Sequence, residues 1–477
     1  MRVSGGGDVM RPVFKVFSTY GHYYVYDRNR NSIIGVNRTD FDLLRRLECG
    51  DQGPDVLDLL SRLQSNGYLL ENTVEDIMQP CSNCYEEYIN RKTEKITLQV
   101  TQNCNLRCDY CAYTGSYNNR LYSAKTMSID IARKGIDYLF AHACEIPRVT
   151  IGFYGGEPLL RMDLIKQCVT YVNESYPEKE VYYILTTNGT LLTDENVDYL
   201  FANNIDIMIS LDGNKEMHDR HRKFPDGSGS FDLIAKNLKR IKERYPNYYK
   251  RIAINTVLSP SNDLGCIKEF YDTDDVMEFF NPQYSLVNEY NSKKPVQYEE
   301  EYFITCRTEQ LKVLLWTIGK IGEDAVSSLF KNQKGYFIKN KEDLIPITGL
   351  PKICHPGGPC LAGIKRLFCD VDGNLFPCER VSEKSIAMKI GTLKNGIELD
   401  KARRLINVGE ISKDACISCW SFIHCTQCAV TADDTKSLVK EQRLSHCHKT
   451  QHSVLEKFKD HCFLVEQGVD FEKLERD

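Results

Sequence analysis

Residues 13–38 alternate apolar and polar positions in three runs: Phe14-Lys15-Val16-Phe17, Tyr23-Tyr24-Val25-Tyr26 and Ile33-Ile34-Gly35-Val36. Gly21, Asn29 and Asn31 sit between them, so the pattern predicts three short strands joined by turns. Helical periodicity follows over about 40–48 and 54–65, with Thr39 and Asp40 as the expected N-cap of the first helix, and then Gly67-Tyr68-Leu69-Leu70. Three strands and two short helices imply a small winged-helix-like unit. The polar stretch 71–92 reads as a linker. Beyond it, strand-like runs at 96–100, 149–153, 181–185, 205–210, 252–257 and near 283–287 alternate with helical patterns. In the helical pattern at 128–143, Ile131, Ile136, Leu139 and Phe140 share a face. Repeated β–α units demand a parallel sheet, and six of them suggest an α/β partial barrel with its chemistry at the C-terminal strand ends. From about 346 the chain is rich in Gly and Cys with little periodicity, as expected of a segment held by metal rather than by its own core. The expected domains are therefore 1–90, 91–345 and 346–477.

Composition adds constraints. The 477 residues carry a formal net charge of −5, with no Lys/Arg block to suggest nucleic acid or a membrane surface as partner. No run of about 18 apolar residues predicts a membrane span, and the first seven residues lack the apolar stretch of a signal peptide. The expected location is the cytoplasm. Twenty cysteines are anomalous there, because a reducing compartment disfavours disulfides and clustered thiols then point to metal or redox chemistry. Cys49, Cys144, Cys168, Cys266 and Cys306 lie singly in helical patterns and read as small buried apolar residues. Cys81 and Cys84 form a lone CxxC with no expected metal.

Cys104, Cys108 and Cys111 follow the first strand of the β/α region, spaced Cys-x3-Cys-x2-Cys. Three thiolates can hold three irons of a [4Fe–4S] cube and leave the fourth open to a small molecule. A zinc site would want a fourth ligand at similar short spacing, and none follows. This motif resembles the radical S-adenosylmethionine (SAM) superfamily. The resemblance implies that the open iron binds SAM and that one-electron cleavage of SAM yields a 5′-deoxyadenosyl radical. It extends to Tyr110 and Tyr113 in the same loop and to Gly155-Gly156-Glu157-Pro158 ending the second strand, where the glycines would let backbone approach the SAM amino group and Glu157 would pair with it. Asn188 in Thr187-Asn188-Gly189, Ser210 in Ser210-Leu211-Asp212-Gly213, Arg222 and Val257 would complete the SAM contacts by the same analogy.

The C-terminal cysteines resemble the SPASM domain of peptide-modifying radical SAM enzymes, which carries two auxiliary [4Fe–4S] clusters and would bring the total to three. Carried over, Cys354, Cys360, Cys378 and Cys428 would hold the first and Cys416, Cys419, Cys425 and Cys447 the second. The two residues between Cys425 and Cys428 depart from the usual three. Cys369 and Cys462 are left as spare thiols, and His355, His424, His446 and His448 read as solvated. Glu379 matches the position of a catalytic Asp in sulfatase-maturing relatives, implying a proton acceptor. By resemblance the N-terminal unit is a RiPP recognition element that binds a leader peptide as an added strand. A DNA-binding wing would need a basic helix, and 54–65 carries only Arg62. Thioether-forming maturases of ranthipeptide (freyrasin) or sactipeptide type are the implied function. A Cys-rich precursor peptide and a reductant such as flavodoxin or ferredoxin would be the partners. Formylglycine formation, carbon–carbon crosslinking and a non-enzymatic metal-binding regulator are the competing expectations.

Overall fold

The computed structural model describes residues 11–114, 116–117, 122–277, 280, 282–290, 292–357 and 360–474. Residues 1–7, where no signal-peptide pattern was expected, lie outside the described residues, as do 475–477.

The three N-terminal runs are strands β1 (Phe14–Ser18), β2 (Tyr23–Asp27) and β3 (Ser32–Val36), antiparallel in that order. Helix α1 (Arg38–Glu48) starts two to three residues earlier than the Thr39/Asp40 expectation. Asn37 is its cap: the Asn37 Oδ1 accepts from the Asp40 amide at 2.9 Å, and an extended Asn supplies that acceptor better than a Thr already inside the turn. Helix α2 (Pro54–Ser65) opens on a proline, whose missing N–H costs nothing at the first helical position. Phe14, Val16, Val25, Phe41, Leu44, Leu59 and Leu69 close a small core between these elements.

Residues 71–92 are more ordered than a linker. β4 (Asp76–Ile77) pairs in parallel with β11 (Ile353–Cys354), and α3 (Tyr85–Arg91) buries Tyr85 and Ile89. The sequence is polar, yet these two apolar side chains one turn apart anchor the segment.

The β/α region contains each expected strand within two residues of its predicted bounds. These are β5 (Lys95–Thr101), β6 (Arg148–Gly155), β7 (Glu180–Thr187), β8 (Ile205–Ser210), β9 (Ala253–Leu258) and β10 (Gln283–Leu286). They lie parallel in sequence order, linked by helices that include α4 (Ile129–Ala141), α5 (Met162–Ser175) and α6 (Asp194–Ala202). The following helices α7 (Lys215–His221) and α8 (Phe231–Arg244) lie between β8 and β9. Ile136 and Leu139 of α4 are fully buried, with Ile131 and Phe140 packed at the core's edge.

The sheet does not end at β5. Four short strands, β12 (Leu367–Cys369), β13 (Asn374–Phe376), β14 (Gly391–Thr392) and β15 (Gly396–Ile397), continue it to ten. β12 lies parallel to β5, Leu367 opposite Ile96 and Cys369 opposite Leu98. Phe368, Leu375, Phe376, Ile390 and Ile406 belong to the same apolar core as the β/α strands. The cysteine-rich part thus shares a large core, contrary to the expectation that metal alone would hold it. Its apolar residues are spread too thinly along the chain to show as periodicity.

Candidate radical SAM site and cysteine clusters

The loop leaving β5 carries Cys104, Cys108 and Cys111, with Cys108 buried. Turn hydrogen bonds shape it: the Leu106 amide donates to Cys104 Sγ at 3.4 Å, the Tyr113 amide to Cys111 Sγ at 3.5 Å, and the Cys111 amide to the Cys108 carbonyl at 3.1 Å. The thiols influence one another electrostatically, and burial pushes Cys104 and Cys108 up to about 12. These thiols would serve as thiolate ligands only with a metal beside them to compensate the charge.

β6 ends against this loop. The Gly156 and Glu157 amides donate to the Thr101 and Asn103 carbonyls at 2.8 and 2.9 Å. A Cβ on Gly155, whose φ is +140°, would lie 2.0 Å from the Thr101 oxygen, and one on Gly156 would lie 2.2 Å from the Asn103 oxygen. The approach of the cysteine loop itself therefore demands both glycines. Pro158 begins a short 3-10 turn. The Glu157 carboxylate is fully buried and accepts from the Leu159 amide (3.0 Å), the Asn188 amide (2.7 Å) and Thr187 Oγ1 (2.8 Å). Burial nevertheless pushes its pKa up to about 7. Asn188 donates to Asn105 Oδ1 at 2.9 Å and faces Cys104 Sγ at 3.8 Å, joining the β7 end to the same loop.

Three further predicted contacts, Tyr110, Arg222 and Val257, converge on a residue with no predicted role. Asp212, just past Ser210 at the end of β8, is fully buried. It accepts from Arg222 Nε (2.8 Å), Arg222 Nη2 (3.1 Å), the Val257 amide (2.9 Å) and the Tyr110 hydroxyl. Burial opposes its charge, but the Arg222 guanidinium beside it holds the carboxyl below its usual range. The Asp212 amide donates to His218 Nδ1 at 3.2 Å; His218 Nε2 meets Ser230 Oγ at 2.9 Å, which donates to the Arg222 carbonyl. One hydrogen-bonded hub thus ties the ends of β8 and β9 to the cysteine loop through Tyr110. The Ser-Leu-Asp-Gly run was the available signal.

Tyr113 points to a second overlooked carboxylate. Its hydroxyl donates to Glu383 Oε1 at 2.8 Å, and Gln99 and Gln102 donate to the same carboxylate at 2.7 and 3.3 Å. Glu379 lies toward the other end of β5: it pairs with Arg366 at 3.6 Å, and its charge reaches Lys95.

Residues 98–273 match the Radical SAM superfamily model. This segment is similar to the radical SAM superfamily. Of the relatives, the cysteine-type anaerobic sulfatase-maturating enzyme of Clostridium novyi (strain NT) is 28% identical over 286 residues, covering 59% of this chain and 71% of that enzyme. The radical SAM cyclopropyl synthase TigE of Paramaledivibacter caminithermalis is 26% identical over 267 residues, 50% of this chain and 52% of the synthase. The solved structure of native anSMEcpe with bound AdoMet shares the fold, with TM-score 0.55 and 19% identity over 80% of this chain and 98% of that one.

The cysteines beyond residue 350 lie outside the matched segment. Cys360, Cys378 and Cys428 act on one another electrostatically, and burial pushes Cys378 up to about 12. Cys354 instead packs with Val74, Ile77 and Phe422, with Cys416 alongside, and Arg28 is the charge that acts on its thiol. Cys416, Cys419, Cys425 and Cys447 together line a cavity of about 230 Å³. Ser412 Oγ lies 3.3 Å from Cys416 Sγ, Ser421 Oγ 3.3 Å from Cys419 Sγ, and Gln451 and Gln427 donate to Cys419 and Cys447 at 3.4 and 3.5 Å. Among the described residues no three His, Cys, Asp or Glu groups stand close enough to grasp one metal ion; the quartet surrounds a larger space.

The single cysteines divide. Cys168 is buried as expected, but Cys49 and Cys144 are exposed, because each lies just beyond a helix end rather than on a buried face. His355 and His424 are not solvated: His355 Nε2 accepts from the Gly409 amide at 3.2 Å and His424 Nε2 meets Asn31 Oδ1 at 2.9 Å.

Proposed function

We propose that the chain is a radical SAM maturase that forms thioether crosslinks, from Cys sulfur to a peptide carbon, in a ribosomally made Cys-rich precursor. In this reading Cys104, Cys108 and Cys111 hold the SAM-binding [4Fe–4S] cluster. Cys360, Cys378 and Cys428, with Cys354 as the resemblance implies, hold one auxiliary cluster, and Cys416, Cys419, Cys425 and Cys447 the other. When bound, the first cluster and SAM supply the one-electron chemistry that begins hydrogen abstraction, with flavodoxin or ferredoxin as reductant.

The chain's own residues do the rest. The Asp212 hub fixes Tyr110, Val257 and Arg222 around the cysteine loop, and Glu157 orders the β7 end against it. In this reading Glu383 is the proton acceptor, because it accepts from Tyr113, two residues beyond Cys111, whereas Glu379 lies beside Arg366 toward the other end of β5. Joining C–H to S–H removes two hydrogens, and the auxiliary clusters offer the second electron a destination.

The observation that carries a peptide substrate is the N-terminal sheet. β3 is an edge strand, partly exposed along its length, so an extended leader can add to it. The sheet also packs on the cysteine-rich part through Tyr26, Trp420 and Phe458. Formylglycine formation is the second reading, favoured by the sulfatase-maturating relative. Co-expression with a Cys-rich precursor peptide, followed by mass spectrometry, separates the two. A peptide two hydrogens lighter per crosslink, with blocked thiols, is expected. A hydrazide-reactive aldehyde at a former cysteine would replace this reading with formylglycine formation.

A further inference from the structure

Two arginines are buried beside the second cysteine quartet, Arg443 in its wall and Arg28 behind the Cys416–Cys419 turn, and neither forms an ion pair with a carboxylate among the described residues. Arg443 lines the cavity with the four cysteines. It is 1% exposed; its Nε donates to Ser412 Oγ at 3.1 Å, the hydroxyl that touches Cys416 Sγ, and its Nη1 has no partner. Arg28 comes from the β2–β3 turn and is fully buried. It donates to the Ile417 carbonyl, inside the Cys416–Cys419 turn, and to Asn72 and Asn29, while its Nε has no partner. Its guanidinium lies 5.7 Å from the Phe422 ring centre.

A buried guanidinium without a counter-charge is costly. The thiolate set is the main anion around both: Arg443 acts on Cys425 and Cys447, and Arg28 interacts first with Cys354 and Cys419 and then more weakly with Tyr26 and Asp27. Four thiolates around an iron–sulfur cube carry net negative charge, and reduction adds one more. In an apolar wall of Trp420, Phe422 and Leu444 a fixed cation favours the more negative state.

We propose that Arg28 and Arg443 raise the reduction potential of the iron–sulfur cluster held by Cys416, Cys419, Cys425 and Cys447. The inference rests on the reading of that quartet as a cluster site. It makes the N-terminal sheet part of the electron-accepting apparatus, since Arg28 is carried on it.

The test is an anaerobic redox titration of the full chain, followed by absorbance and electron paramagnetic resonance. Ala at Cys104, Cys108 and Cys111 silences the first cluster, and the signal lost on Cys416→Ala identifies the second auxiliary one. Arg443→Met should raise its oxidised-to-reduced ratio at fixed potential at least tenfold, a downward shift of ~59 mV for a one-electron couple. Arg28→Met, on a separate element, should do the same independently. Arg443→Lys and Arg28→Lys keep the charge and should stay within about threefold of the parent. A shift below twofold in Met variants that retain full iron and sulfide overturns the proposal, as do equal shifts in Met and Lys variants. A parent protein without this cluster overturns instead the cluster reading beneath it, and iron counting separates the two failures.

Discussion

Asp212 accepts four hydrogen bonds while showing no surface to solvent, so its removal reaches several strand ends at once. Asp212→Asn leaves Arg222 buried and uncompensated, and should cost about 3–5 kcal/mol in urea unfolding. Arg222→Met paired with Asp212→Leu should recover much of that loss, since both charges go together. His218, beside it, is held neutral by burial, its pKa pushed down to about 3. The unfolded chain takes up this proton near pH 6.5 and the folded one does not. The stability from neutral His218 is therefore fully present above pH 6.5 and is lost as pH falls from 6.5 toward 3. On this account the protein is roughly 2 kcal/mol less stable at pH 5 than at pH 7.5, and His218→Asn should flatten that slope in unfolding curves. Neither role is legible in the sequence. A motif names residue types at a strand end, but whether Arg222 faces a ligand or an internal carboxylate depends on how the ends of β8 and β9 approach.

At the scale of elements, the junction of β6 with the cysteine loop and the insertion of β12 beside β5 carry the strongest constraints. Gly156→Ala would force the Asn103 carbonyl away, and the Cys104 loop with it. On the proposed reading, iron held by Cys104, Cys108 and Cys111 should fall sharply in this variant while iron at the proposed C-terminal cluster sites is retained; metal analysis of reconstituted protein measures it. Phe368, fully buried between β5 and the added strands, should cost about 3–5 kcal/mol when cut to Ala. Because its core is shared, unfolding should remain one transition; two separated transitions would contradict the shared core. The long strands were readable, since a period of two or a continuous apolar run over five to eight residues leaves a mark in sequence. β12 was not. Leu367-Phe368-Cys369 is three residues long, and its partner lies far upstream, so nothing local announces it. Asn37 was missed for a related reason, because two residues of capping type follow it.

Across the whole molecule, the N-terminal sheet and the cysteine-rich part behave as one packed unit. Phe17 and Tyr26 pack against Val454 and Phe458 of the helix Cys447–Glu466, and Thr19 and Tyr24 donate to Glu466. Deleting residues 1–70 would therefore remove more than a leader-binding surface. Amides of that helix should exchange with deuterium faster in the truncated protein, whereas substitutions confined to the β3 edge should leave them unchanged. The strand and helix pattern predicts this unit as a small winged-helix-like domain; the second face of its sheet, with Phe17, Tyr24 and Tyr26, is equally apolar and packs on the cysteine-rich part. The parallel pairing of β5 with β12 has a temporal consequence. Glu94 and Lys365, at the start of the two strands, are 271 residues apart. At ribosomal speeds of about 5–20 residues per second, the edge of β5 waits on the order of tens of seconds for its neighbour. Through that interval a buried-type strand, Ile96-Thr97-Leu98-Gln99-Val100, offers an open row of amides and carbonyls beside apolar side chains. Synthesis slowed by cold or by rare codons lengthens the exposure, and a chaperone that shields strand edges during translation would protect the nascent chain most between the emergence of residue 101 and that of residue 369.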